Sequence, residues 1–295
     1  MKTNHQQHPV NLSNPFCTAL FAVFVLVLLA NGLAHADNIY VSCFGSGTIM
    51  KLDSNGNWST FASGLNHPLG LAFDSSGNLY VATADSTIKK INSSGNWSIF
   101  ASTSGNDNGL AFDSSGNLYA SCFAAGTITK FNSSGNGTIF ASGLSSPQGL
   151  AFDSSGYLYA ANYTSGAITK FNSSGNGSFF ASDGYSITGL GFDTSGNLYV
   201  SNYYDGTIAK FDLSRNKTIF ASGLDHPYGP AFDSSGYIYI ANAVGGTVEK
   251  FDSSGNGSIL ASGWNGPTFI ATQIPEPATL LLLGLGAAIV RKRHR

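Results

Sequence analysis

Charge is scarce in this 295-residue chain: Asp, Glu, Lys and Arg together make 10% of it, and glutamate occurs only at Glu249 and Glu276. Cysteine numbers three, of which Cys17 lies in an N-terminal apolar run and only Cys43 and Cys122 lie in the body. Two such distant cysteines make neither a disulfide framework nor a zinc-ligand spacing. Turn chemistry, by contrast, is plentiful. Glycine numbers 36 and aromatics reach 13%, a profile of many short strands and tight turns.

The body of the chain repeats itself. Leu71-Ala72-Phe73-Asp74-Ser75-Ser76-Gly77-Asn78-Leu79-Tyr80 returns at Leu110, Leu150 and Leu190, and as Pro230-Ala231-Phe232-Asp233 near the end. Its aspartates stand at 74, 113, 153, 193 and 233, steps of 39 and then 40. A fixed period of that length, built from short apolar runs between Gly/Asn/Ser turns, marks a propeller or solenoid.

Each repeat divides into four strand-like runs, a to d. Asp-Ser-Ser-Gly-Asn/Tyr separates a from b, and Asn/Asp-Ser-Ser-Gly-Asn separates c from d; the first residue bonds its own backbone and Gly takes positive φ. Tyr40, Tyr80, Tyr119, Tyr159, Tyr199 and Tyr239 mark six b strands, and Lys51, Lys90, Lys130, Lys170, Lys210 and Lys250 mark six c strands. Phe61, Phe100, Phe140, Phe180, Phe220 and Leu260 mark six d strands. Only five full a strands occur, with 267–271 as a degenerate sixth. The expected fold is an all-β six-bladed propeller over 37–273, its four-stranded blades closed into a ring by pairing the C-terminal a strand with the N-terminal b strand. The phrase Gly-Leu-Ala-Phe-Asp-x-x-Gly-Asn-Leu-Tyr resembles NHL-type repeats, and a six-fold ring of them is similar to the propellers of gluconolactonases and streptogramin lyases. That resemblance implies the fold and leaves the function open, because this scaffold carries enzymes, binding modules and structural proteins alike.

Both ends read as addresses. Lys2 precedes an apolar run over 16–30 and then Ala34-His35-Ala36, the small-x-small pattern of a signal-peptidase site, so 1–36 is expected to be a signal peptide cut before Asp37. The C-terminus reads Ile274-Pro275-Glu276-Pro277, thirteen apolar residues over 278–290, then Arg291-Lys292-Arg293-His294-Arg295. Thirteen is short against the ~20 residues of a full span, and the basic end would face the cytoplasm. The segment 274–295, with Pro275, Glu276 and Pro277 as its signature, resembles the PEP-CTERM sorting signal of Gram-negative bacteria. That resemblance implies a short transmembrane helix held transiently in the inner membrane, recognition by an exosortase, removal of the tail and release or attachment outside the cell. Without the two ends, nine basic and fifteen acidic residues remain, a net charge of −6 that disfavours nucleic acid or anionic lipid as a partner.

A residue present in every blade is most simply a packing or turn element. The Asp-Ser-Ser-Gly-Asn loops lack the further carboxylates and distal Glu of a calcium loop, so Asx-turn chemistry accounts for them. The six strand-c lysines are expected to be solvated or paired with Asp. Asn-x-Ser/Thr recurs at Asn57, Asn96, Asn136, Asn176, Asn216 and Asn256, always in the c–d turn, where turn geometry suffices as an explanation.

Function is expected where the blades diverge, on the face carrying the d–a and b–c connections. One d–a position reads His67, Asn106, Ser146, Ser186 and His226; the end of strand b reads Cys43, Thr83, Cys122, Asn162, Asn202 and Asn242, followed by Phe44, Ala84, Phe123, Tyr163, Tyr203 and Ala243. The candidate ligand-binding rim comprises His67, Asn106, Asn108, Asn162, Tyr163, Asn202, Tyr203, Asp205, Asp225 and His226. Hydrogen-bonding Asn, Ser and His beside flat Tyr and Phe suit a neutral, hydroxyl-rich ligand, so the leading expectation is an extracellular binding or matrix module for an exopolysaccharide. The alternative is a metal-dependent lactonase- or lyase-like enzyme with its site at the channel mouth. The gluconolactonase resemblance implies a divalent metal held by Glu, Asn and Asp, and Asn108-Gly109-Leu110 is similar to the Asn-Gly that opens a strand there. Glu249 sits among the lysine positions, however, and His67 and His226 are two imidazoles without a nearby carboxylate. No catalytic residue is assigned, and a divalent metal enters only with the alternative. Cys43 and Cys122 occupy equivalent positions two blades apart, beyond the ~7 Å reach of a disulfide, and are expected to be free, partly buried thiols.

Overall fold

The computed structural model describes residues 37–53, 56–103, 105 and 107–273. Residues 1–36, where a signal peptide is expected, residues 274–295 of the expected sorting segment, and Asn106 lie outside the described residues. Twenty-four strands form six antiparallel four-stranded sheets, each running a-b-c-d from the axis outward. Five blades are contiguous in sequence. Blade 1 takes its b, c and d strands from Asn38–Cys43, Thr48–Leu52 and Trp58–Ala62, and its a strand from Pro267–Gln273. Asn38 pairs with Gln273, Ile39 with Thr272 and Tyr40 with Ala271, which closes the ring as the sequence predicts.

The turns form for the reason their residues suggest. Asp74 Oδ1 accepts from the backbone N–H groups of Ser76 at 3.0 Å and Asn78 at 2.8 Å, while Gly77 takes a φ of 78° that disfavours any side chain. The expected lysine pairing is also present: Lys90, Lys130, Lys170 and Lys210 lie 3.4, 3.7, 3.3 and 4.0 Å from Asp74, Asp113, Asp153 and Asp193.

Packing between blades rests on aromatic edges. The Tyr of each b strand meets the Phe of its own d strand and the Phe of the next blade's a strand, as Tyr119 meets Phe140 and Phe152 at 5.0 and 5.1 Å. Each such pair contributes about 0.5–1.5 kcal/mol beyond the area it buries. The seam between blades 6 and 1 departs from this pattern, because Leu260 and Thr272 stand where the other blades have Phe. A perpendicular Trp58–Trp264 pair at 4.6 Å and a bond from Thr272 Oγ1 to Phe232 O at 2.7 Å hold it instead.

Around the axis, adjacent a strands approach through glycine. A Cβ on Gly70 would stand 2.1 Å from Asn108 O, one on Gly109 2.2 Å from Gln148 O, and one on Gly189 2.1 Å from Gly229 Cα. Blade 1 has Phe269 at this position. Its ring packs with Leu69 and Leu71 of blade 2 and lies 5.5 Å from Tyr228 of blade 6, bridging three blades at the inner wall.

Candidate functional site

The b–c and d–a connections share one face, as antiparallel order requires, and the a–b and c–d turns share the other. On the first face the structure assembles an aromatic arc. Phe123 meets Tyr163 at 5.8 Å; Tyr203 meets Tyr204 at 5.0 Å, His226 at 4.3 Å and Tyr228 at 5.7 Å. The Tyr163 phenol neighbours Tyr204 and Ser186 of blade 5, so the arc continues from blade 4 to blade 5. Tyr204 is 70% exposed, so the arc is open to solvent at its centre. Asp225 Oδ1 lies 2.6 Å from His226 Nδ1 at the edge of the arc. Burial, then the neighbouring Tyr204 and Asp225, raises the pKa of Tyr203, and burial, then the neighbouring Tyr204, raises that of Tyr163. Both phenols therefore stay protonated at neutral pH and offer an O–H as well as a ring face.

Of the sequence-predicted rim, Tyr163, Tyr203, Asp205, Asp225 and His226 gather in this region. His67 does not join them; its ring lies 4.6 Å from that of Phe44, and its Nδ1 is 2.8 Å from Asn66 Oδ1. Asn108 is half-buried on strand a, against the glycine ring rather than in a rim loop. Asn162 and Asn202 are the clearest departures, at 2% and 1% exposed. Asn162 Nδ2 donates to Ala167 O at 2.9 Å and Thr169 Oγ1 at 3.0 Å, while Asn202 Nδ2 donates to Asp183 O at 2.8 Å. Asn162 thus braces its b–c turn from beneath, while Asn202 ties the d–a connection at Asp183 to its own b–c turn, where its Oδ1 accepts from Asp205 N at 3.1 Å. The variable d–a position also has a backbone explanation, because His67, Ser146, Ser186, His226 and Gly266 have φ of 45°, 55°, 68°, 60° and 65°. Left-handed backbone selects a small set of residue types, His and Gly among them, with no reference to a ligand.

Sequence reasoning missed Tyr204 as a named candidate and passed over Tyr228 and Phe269 altogether. The signal was present: Tyr228 stands where other a strands carry Leu69, Asn108, Gln148, Thr188 and Thr268, and Phe269 where they carry glycine. It also missed two cavities on the opposite face. One, of about 510 Å³, is lined by Phe192, Asp193, Tyr199, Pro230, Asp233 and Thr272; the other, of about 490 Å³, lies between blades 3 and 4 beside Asp113, Tyr119, Lys130 and Asp153. The first opens where Pro230 replaces the usual Leu, since proline has no N–H to pair and strand a of blade 6 shrinks to Ala231–Phe232.

The donor set does not suit a divalent metal of the gluconolactonase kind. Glu249 Oε1 is taken by Asn242 Nδ2 at 2.7 Å, and the described residues contain no group of three or more His, Cys, Asp or Glu that holds the geometry of a metal site. Cys43 and Cys122 are free, as expected, but fully rather than partly buried, at 2% and 1% exposed.

Residues 273–295 match the PEP-CTERM protein-sorting motif. The chain is thus a six-bladed β-propeller ahead of a PEP-CTERM motif, which indicates export and C-terminal processing by an exosortase. No curated protein matches the chain. Among solved structures it is similar to a nidogen/laminin complex, with 17% identity and a TM-score of 0.72 over 80% of this chain and 98% of that one. Virginiamycin B lyase from Staphylococcus aureus follows with 15% identity and a TM-score of 0.56, over 65% of this chain and 69% of the lyase. A putative gluconolactonase gives 18% identity and a TM-score of 0.61, over 69% and 81%. Likeness at these identities is likeness of fold. Among the described residues no helix is long and apolar enough to cross a membrane, and the apolar stretch of the PEP-CTERM segment lies outside them.

Proposed function

We propose that the protein, freed of residues 1–36 and of its PEP-CTERM tail, is an extracellular binding or matrix module whose variable face takes a neutral, hydroxyl-rich polymer such as an exopolysaccharide. The observation that supports it is the open arc from Phe123 through Tyr163, Tyr204 and Tyr203 to His226. Rigid aromatic faces give contact area to the apolar faces of sugar rings at small entropic cost, and their hydroxyls and the Asp225–His226 pair bond to sugar hydroxyls. A polymer laid along the arc meets several such contacts in succession, so individually weak contacts add through avidity.

The test is retention of the 37–273 protein on immobilised polysaccharide from the host's own matrix. Tyr203→Ala with Tyr204→Ala is expected to weaken retention at least tenfold while leaving the thermal midpoint near its starting value. Retention unchanged in that variant refutes the site. Metal bound in stoichiometric amount together with turnover of a lactone would refute the binding reading in favour of an enzyme.

A further inference from the structure

We infer that the cut before Asp37 creates a structural cation: the new α-ammonium group pairs with the buried carboxylate of Asp37 and balances Asp233 beside it, in place of the lysine that serves the other blades. The inference rests on the maturation proposed above and is independent of what the aromatic arc binds.

The repeats supply the comparison. In blades 2 to 5 the strand-c lysine reaches the Asp of the a–b turn, at 3.4, 3.7, 3.3 and 4.0 Å. Blade 6 has the same two residues, Asp233 and Lys250, yet among the described residues no ion pair joins them. Lys250 Nζ lies 3.7 Å from the centroid of the Tyr237 ring, and Asp233 Oδ2 accepts from the Tyr239 hydroxyl at 2.9 Å. Tyr237 is not the reason. Blade 4 carries Tyr157 at that place, and Lys170 lies 4.0 Å over its ring while still pairing with Asp153.

What blade 6 has in addition is a second carboxylate. Asp37 is 8% exposed, and its Oδ2 accepts from the backbone N–H of Ser234, the neighbour of Asp233. Burial, then Asp233 and Asp37, raises the pKa of the Tyr239 phenol, so both charges act on one spot. Asp37 Oδ1 is buried and, among the described residues, accepts from nothing. Two carboxylates therefore lack an ion-pair partner, and the desolvation of the buried one is left uncompensated.

The fold holds a nitrogen at this spot. In blade 1 the a–b turn is split: it breaks off at Gln273, which stands where the other blades have Asp, and resumes at Asp37, which precedes Asn38 as Gly77 precedes Asn78. Asn38 and Tyr40 donate to Gln273 Oε1 at 3.4 and 3.2 Å, as Asn117 and Tyr119 donate to Asp113 Oδ2 at 2.8 and 3.3 Å. Asp37 N is thus anchored at the seam, but in the uncut chain it is a neutral amide. When water cleaves the Ala36–Asp37 bond, the C–N bond breaks, the oxygen goes to the Ala36 carboxylate, and both water protons go to nitrogen. Two of the three staggered rotamers about Cα–Cβ hold the carboxylate gauche to this nitrogen, so the charge forms within reach of Oδ1.

The titratable groups of the elements packed here are Asp37 itself, Asp233, Tyr239 and Lys250 of blade 6, and Tyr40 and Lys51 of blade 1. The two carboxylates favour the charged amine, so its folded pKa lies above the ordinary ~7.7–8.0 of an α-amino group. Its stabilisation is complete below about pH 7.7 and is lost as pH rises through the folded value.

The test compares urea unfolding of the 37–273 protein, with Asp37 as its first residue, against the same protein preceded by Gly-Ser, which moves the charge away. At pH 7 the unfolding constant of the first is expected to be about tenfold smaller, the worth of a hydrogen bond to a charged group. The gap is expected to close between pH 8 and 10 and to be absent in Asp37→Asn. Equal constants at pH 7, or a gap that ignores pH or persists in Asp37→Asn, overturn the inference; the pH profile needs no substitution. Mass spectrometry of the N-terminal peptide of host-made protein reads the premise separately. A start other than Asp37 overturns the maturation and the inference together, whereas a start at Asp37 with equal constants overturns the inference alone.

Discussion

Replacing Phe269 by alanine probes how the ring is held at its axis. The phenyl is 8% exposed and packs with Leu69, Leu71 and Tyr228, and the residues that correspond to it in the other blades are glycines. No neighbouring side chain at that level can slide into the space, and the adjacent a strands are already at backbone contact, so the hole stays open. Full loss of a buried phenyl under those conditions costs about 3–5 kcal/mol. For a domain of this size each kcal/mol moves the thermal midpoint by about 2–4 °C, so the expected fall is about 6–20 °C. If the ring instead leaned on Tyr228 in a wide, wet channel, only the aromatic pair would be lost, about 0.5–1.5 kcal/mol. Urea unfolding of the 37–273 protein followed by tryptophan fluorescence separates the two, because Trp58 and Trp264 report from the neighbouring seam. A loss below about 1.5 kcal/mol with an unchanged urea slope would refute the account of Phe269 as the bridge between blades 6, 1 and 2.

Gly189→Ala places a methyl 2.1 Å from Gly229 Cα, against backbone that cannot rotate away, and is expected to cost about 1–3 kcal/mol in the same assay; Gly189 has no positive φ, so the loss reads the clash itself. Burial works to raise the Asp85 pKa, but bonds from Thr83, Lys89 and Thr87 and the Lys89 charge outweigh it and hold the value at about 2. The folded value lies below the unfolded one, so this stabilisation is complete above about pH 4 and is lost as pH falls toward 2. Stability measured from pH 6 to 2 should therefore fall less steeply in Asp85→Asn, and an unaltered acid limb would contradict the assignment. Burial pushes the Cys43 thiol up to about 11 against weaker opposing bonds from Thr48 and Ser46, so a disulfide reagent at pH 8 should leave it unreacted until denaturant is added. Fast labelling of Cys43 in the native protein would show the b-strand end to be open.

The ring and its closure were legible because six copies of one strand pattern, with one a strand displaced to the far end, admit few other arrangements. The rim was less legible for two reasons. In a propeller every b strand is covered on both faces by neighbouring blades, so all five residues of Leu158–Asn162 and of Leu198–Asn202 are buried. Asn162 and Asn202 follow their strands inward, where alternation would have placed one face outside. The d–a residues diverge under a shared left-handed φ, which resembles functional divergence when only letters are compared. Tyr228 and Phe269 were hidden in strand a, whose repeated phrase reads as scaffold throughout.

Pairing Asn38 with Gln273 ties the first strand of the domain to the last across nearly its whole length. During export the N-terminal blade emerges early but lacks its innermost strand until Gln273 has followed, and Gln273 opens the sorting motif. Blade 1 must therefore wait, three strands out of four, while five blades assemble beside it. The event that completes the propeller is thus the arrival of the segment that the sorting machinery reads, and an unfinished chain presents an open blade instead of a closed ring.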